Sequence, residues 1–215
     1  MKKSDTIRRV DLHINMMLVG VYVASQIIAG VLGPKLFTIG GVAMTAGILT
    51  YPITFMVTDV VNEVWGKSVA GKFIGIGIVT QLFMALMFKV GIWLPPASVW
   101  GGQVAFQTVL GSVPRMVIAG IASFSVSQTW DVWVFHLIKE KLTLGLWFRN
   151  NLSTITAQVL DSAIFLVVAF GGVVPAGELW TMFLAYIAVK AVIALLDTPF
   201  TYAGAYIAQK LRGER

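Results

Sequence analysis

The sequence predicts an all-α integral membrane protein: one domain over residues 1–215, with six transmembrane helices and both termini in the cytoplasm. Three observations lead there. Hydrophobic residues make up 57% of the chain and charged ones 12%, about half the charged share of a soluble domain, and the mean hydropathy is +0.83. The apolar residues gather in six stretches near the ~20 residues that a helix needs to cross a bilayer. The basic residues collect at alternate breaks between those stretches.

The first stretch, roughly 12–33, ends at Gly33-Pro34, and the second, 36–57, runs into the polar segment Thr58 to Lys72. The third, 71–94, stops at Pro95-Pro96, since a residue before proline is pushed out of the helical region. Residues 97–112 read as an outer loop with a short interfacial helix, and Ser112 before Pro114 is a helix start for the fourth stretch, 113–138. The basic segment Lys139 to Asn150 leads to the fifth, 152–174, broken by Gly171-Gly172 and Pro175; the sixth covers 180–207. Each is read as a helix, because a lone segment in lipid satisfies its own backbone only that way.

Lys2, Lys3, Arg8 and Arg9 precede the first span. Lys67 and Lys72 lie between spans two and three, Lys139, Lys141 and Arg149 between four and five, and Lys210, Arg212 and Arg215 after six. The other side keeps Lys35 and Lys89. The positive-inside rule therefore places both ends in the cytoplasm. This distribution accounts for the net charge of +6 as an orientation signal, so the expected surroundings are a lipid bilayer and no nucleic acid. No small-residue cleavage site follows the first apolar run, so that span is expected to be retained. With no cysteine, disulfide frameworks and thiolate metal sites are excluded; histidine only at His13 and His136 argues against a histidine-rich metal centre, and no cofactor is expected.

Ionisable groups inside spans are costly and usually face a bundle interior or a water-filled cavity. Arg115, Asp131, Asp161, Lys190 and Asp197 are of this kind, joined by the amides Gln26, Gln81, Gln128 and Gln158. Gln-x-x-Asp occurs twice, as Gln128/Asp131 in span four and Gln158/Asp161 in span five. The i, i+3 spacing puts each pair on one helix face. Counted from the inner ends by helix rise, Asp131 lies about 12 Å deep, Gln128 about 16 Å, Gln158 about 13 Å and Asp161 about 18 Å. An antiparallel hairpin then levels Gln128 with Asp161 and Asp131 with Gln158. Such a patch of carboxylates and amides suits a planar ligand with mixed donors and acceptors, and Trp130 and Trp133 are candidate stacking faces. Amides in membrane helices also serve as simple glue between helices. Two aspartates ask for more, and Lys190 is the expected counter-charge for the acidic patch.

The stretch TDVVNEVWGK, residues 58–67, closes span two with Asp59, Asn62 and Glu63 on neighbouring faces. It reads either as a polar helix end stopped by Gly66 or as an inner gate or proton site.

These stretches resemble a family. TDVVNEVWGK, Arg115 followed by ASFSVSQTWDVWVF, then TAQVLDSAIF, then Lys190 with Thr198-Pro199 are similar in order and content to the queuosine-precursor transporters, formerly vitamin uptake transporters. The similarity covers about residues 15–207, with one departure at Ser25-Gln26, where family members often carry asparagine. It implies a six-span inner-membrane protein that takes up 7-deazaguanine precursors of the tRNA nucleoside queuosine: 7-cyano-7-deazaguanine, its aminomethyl relative, or queuine. It also implies substrate contacts from Asn62, Arg115, Gln128, Asp131, Gln158, Asp161 and Lys190, with Asp59 and Glu63 in gating or proton coupling.

The alternative is a substrate-binding subunit of an energy-coupling-factor vitamin transporter, which would need partner ATPases. The chain itself has no Gly-x-x-x-x-Gly-Lys-Ser/Thr, and no His-Glu-x-x-His or Gly-x-Ser-x-Gly points to an intramembrane enzyme. The sequence leaves a homodimer open.

Overall fold

The computed structural model describes residues 3–141 and 146–212. The described residues form seven α-helices: α1 (Lys3–Leu32), α2 (Tyr51–Trp65), α3 (Lys67–Trp93), α4 (Gln103–Leu110), α5 (Val113–Lys141), α6 (Leu146–Phe170) and α7 (Ala176–Arg212). Among the described residues, four segments are long and apolar enough to cross a bilayer: Val10–Leu32, Lys67–Trp93, Gln103–Ser127 (which runs through α4 into α5) and Ala176–Ile193. The exterior is apolar as well. Val79, Phe83, Ile118, Ile155 and Val167 are all more than half exposed, a surface that a monomer in water rarely shows. The chain is a multi-pass membrane protein.

The punctuation of the sequence explains most boundaries. Leu94, extended before Pro95-Pro96, stops α3. α4 is the short helix expected in the 97–112 loop. A single residue, Gly66 at φ +83°, separates α2 from α3, a backbone value that disfavours a side chain. The polar segment after span two is therefore mostly helix rather than loop. α5 likewise continues to Lys141, and α7 passes through Pro199 without ending.

One expected element is replaced. Residues 36–57 do not form a helix throughout: Leu36–Ile39 (β1) and Val42–Thr45 (β2) pair as an antiparallel hairpin, with Ile39 opposite Val42 and Leu36 opposite Thr45. The turn is Gly40-Gly41, at φ +57° and +81°, and two successive positive φ values are what a tight hairpin turn demands. A 3-10 helix, Ala46–Thr50, joins the hairpin to α2, whose first turn carries Pro52. The neck is tight. Ala46 N donates to Lys35 O at 2.8 Å, and a Cβ on Gly47 would sit 3.3 Å from Gly33 Cα.

Three apolar clusters hold the bundle. Met44 of the hairpin packs with Met116, Ala119, Leu166, Phe170, Met182 and Tyr186, joining α5, α6 and α7 at the hairpin end. Tyr22, Val57, Val61, Ala70 and Phe73 join α1, α2 and α3. Met84, Val113 and Val117 join α3 to α5. At the opposite end, which bears both termini, Asp11 Oδ1 lies 2.7 Å from Arg212 Nε and accepts from Trp65 Nε1 at 3.2 Å. The Arg212 guanidinium lies over the Trp65 ring, 5.6 Å from its centroid. This clasp ties the ends of α1, α2 and α7.

Candidate functional site

The α6–α7 interface carries an intramembrane ion pair. Lys190 Nζ donates to Asp161 Oδ2 at 2.7 Å, with the side chains 12% and 25% exposed. An ammonium in an apolar span needs such a partner, and the expected counter-charge role of Lys190 is met at Asp161. The next rung toward the hairpin lies one turn along each helix. Phe165, four residues after Asp161, stacks on Tyr186, four residues before Lys190, with centroids 6.3 Å apart and planes 28° apart. The Tyr186 hydroxyl and Thr45 Oγ1 share a hydrogen bond, both residues being buried. The hairpin is thus pinned one turn above the ion pair.

Toward the terminal end, Gln158 shares the Asp161 face, and its Oε1 is buried and accepts no hydrogen bond among the described residues. A buried orphan acceptor is costly. Ser162, 1% exposed, leaves its neighbour's amide alone by donating to the Gln158 main-chain oxygen at 2.9 Å. The Asp161–Lys190 pair and the Gln158 amide oxygen, about one turn away on the same face of α6, put acceptors and a donor along this interface, next to the aromatic pair.

The side chains of Gln128, Asp131 and Asp197 lie outside the described residues. The α5 backbone is described, and its register against α6 is set by two contacts. Trp130 Nε1 donates to Thr156 Oγ1 at 3.3 Å, and Arg115 donates to the carbonyls of Val168 (2.7 Å) and Gly171. On this register Gln128 comes level with Gln158, where depth counting had levelled it with Asp161. By the counted depths, about 16 Å and 13 Å, that is a shift of about half a turn. Small buried residues on α5, Ala119, Ser123 and Ser127, let the helices approach.

Arg115 does not join Asp161. It fastens the end of α6, a helix C-terminus whose free carbonyls attract a cation, about 10 Å or more from Asp161 along that helix. Asp59, Asn62 and Glu63 stand on the exposed side of α2, opposite the buried Val57, Val60 and Val61. Gln26 and Gln81 are paired with each other at 2.8 Å, Gln26 also donating to Tyr22 at 3.1 Å. These two amides are helix glue. Trp130 and Trp133 lie tilted on each other, both 40% or more exposed, and His136 is exposed near the terminal end. Sequence reasoning missed Phe165 and Tyr186. Their signal was the i, i+4 spacing from Asp161 and Lys190.

Comparisons with known proteins show what the chain is similar to. A family model described as "Putative vitamin uptake transporter" matches residues 45–204. A "Probable queuosine precursor transporter" of Bacillus subtilis is 33% identical over 165 residues, 76% of this chain and 72% of its own. A protein of the same name from Haemophilus influenzae is 28% identical over 59% of this chain and 52% of its own. The "Queuosine precursor transporter" of Escherichia coli K12 is 23% identical over 60% and 57%. No solved structure matches.

Proposed function

The chain belongs to the vitamin uptake transporter family, and on that premise we propose that it carries queuosine precursors of the 7-deazaguanine type across the membrane. It does so as a six-span protein with both termini cytoplasmic, α2 and the 3-10 helix before it completing the second crossing. The observation that carries the reading is the acceptor–acceptor–donor set at the α6–α7 interface. A 7-deazaguanine offers a 2-amino group and a ring N–H side by side, next to a carbonyl. Asp161 and the orphan Gln158 Oε1 receive the two donors, and the Lys190 ammonium, already 2.7 Å from Asp161, donates to the carbonyl. Gln128, level with Gln158, and Asp131 one turn inward complete the set from α5. Asp59, Asn62 and Glu63 form the inner mouth on α2.

The test is uptake of labelled 7-cyano-7-deazaguanine by cells that lack any relative and any energy-coupling ATPase and express only this chain. Accumulation above the vector control is expected. Uptake that appears only with partner ATPases would assign the chain to the energy-coupling-factor class. No uptake under either condition would refute the reading.

A further inference from the structure

We propose that the cleft between α3, α4 and α5 at the hairpin end binds the headgroup of an anionic phospholipid. The cleft has a volume of about 380 Å³ and is lined by Lys89, Ile92, Gln107, Pro114, Arg115 and Ile118, among others. Its walls are fixed. Gln103 Nε2 donates to Ile92 O at 3.0 Å and ties α4 to the end of α3. Trp100 packs edge-on against Phe106, with centroids 5.8 Å apart.

The argument is one of charge balance. The chain contains no Asp or Glu between Glu63 and Asp131. The cleft lining therefore carries two cations, Lys89 and Arg115, and no carboxylate to neutralise them. Lys190 pairs with Asp161 and Arg212 with Asp11, and among the described residues neither Lys89 nor Arg115 has a carboxylate within ion-pair distance. Arg115 gives two of its five donors to the carbonyls of Val168 and Gly171, so its guanidinium is held in place with donors to spare. Lys89 is exposed and Gln107 adds an amide donor. A cation at a membrane surface with no internal partner attracts an external anion.

Position selects the source of that anion. Trp93, Trp100 and Trp180 are 82%, 45% and 60% exposed at this end of the bundle, and exposed tryptophans mark the headgroup level. Ile118, on the cleft wall, is 61% exposed on the bundle's apolar outside. The cleft thus joins a phosphate-binding corner to a surface that suits an acyl chain. A free phosphate would use the corner alone.

The experiment is native mass spectrometry of the detergent-purified full chain, titrated with phosphatidylglycerol, phosphatidylcholine or inorganic phosphate. Phosphatidylglycerol is expected to bind in preference to phosphatidylcholine. Each basic charge near such a surface is worth about fivefold in affinity. Lys89→Gln should therefore weaken phosphatidylglycerol about fivefold and Lys89→Glu about twenty-fivefold, with phosphatidylcholine unchanged. Lys89 is exposed, so both variants should melt like the wild type in phosphatidylcholine. Lys67→Glu, at the opposite end of α3, controls for net charge. Equal retention of the two lipids by the wild type, or equal losses from Lys67→Glu and Lys89→Glu, would overturn the proposal. So would displacement of phosphatidylglycerol by millimolar inorganic phosphate, which would assign the site to a free anion.

Discussion

Asp161 and Lys190 are worth more to each other than to the rest of the protein. Breaking a buried pair costs about 3–5 kcal/mol because it strands the remaining charge, and removing both members often costs little. These side chains keep some exposure, so the low end applies. Lys190→Met or Asp161→Asn alone should each lower stability by about 3 kcal/mol, read as a fall in melting temperature in detergent. The double variant should regain most of that loss yet take up no substrate. Full stability in both single variants would mean that the pair is idle. A second prediction concerns Tyr186. Tyr186→Phe keeps the ring on Phe165 and strands the buried Thr45 hydroxyl, at about 1–3 kcal/mol; thermal melting measures it, and an unchanged midpoint would contradict it. The Lys190 pairing was legible in the sequence because a lone ammonium in an apolar span demands a carboxylate. Arg115 was not, because its partners are backbone carbonyls, which no sequence pattern displays.

The hairpin is where element-level reading failed. Residues 36–57 have the length and apolarity of a span, and that total concealed Gly40-Gly41 between two short runs rich in β-branched residues. The pinned strand β2 and the tight Gly33–Gly47 neck make the hairpin a cap over the Phe165–Tyr186 rung. Gly41, at φ +81°, tolerates no β-branched side chain without strain. Gly41→Val should cost about 1–2 kcal/mol and speed amide exchange across residues 36–45 while leaving α3 unchanged. Exchange that stays slow at the hairpin would contradict this. The α5–α6 pair was read correctly as an antiparallel hairpin. Its register differs by about half a turn from the one counted inward from Lys139 and Arg149.

At the scale of the molecule, the clasp at the terminal end joins residues from opposite ends of the chain, Asp11 and Arg212, through Trp65. No local spacing could have announced it. The overall class was legible from composition alone, since apolar excess and basic asymmetry are properties of the whole chain. Orientation is open to a simple test, because the chain has no cysteine of its own. A cysteine at Thr38 should react with impermeant maleimide in intact cells, and one at Lys210 only after the membrane is opened; the reverse pattern would overturn the topology. The central claim is that the acceptors at Asp161 and Gln158 read the donor edge of a guanine-type ring. Calorimetric binding of 7-cyano-7-deazaguanine and of an adenine-type deazapurine to the purified protein tests it most directly. The wild type should bind the guanine type at least about tenfold more tightly, and Asp161→Asn, which turns an acceptor into a donor, should lose about tenfold to a hundredfold of that affinity. Equal binding of the two ring types by the wild type, or unchanged guanine-type binding by Asp161→Asn, would contradict it.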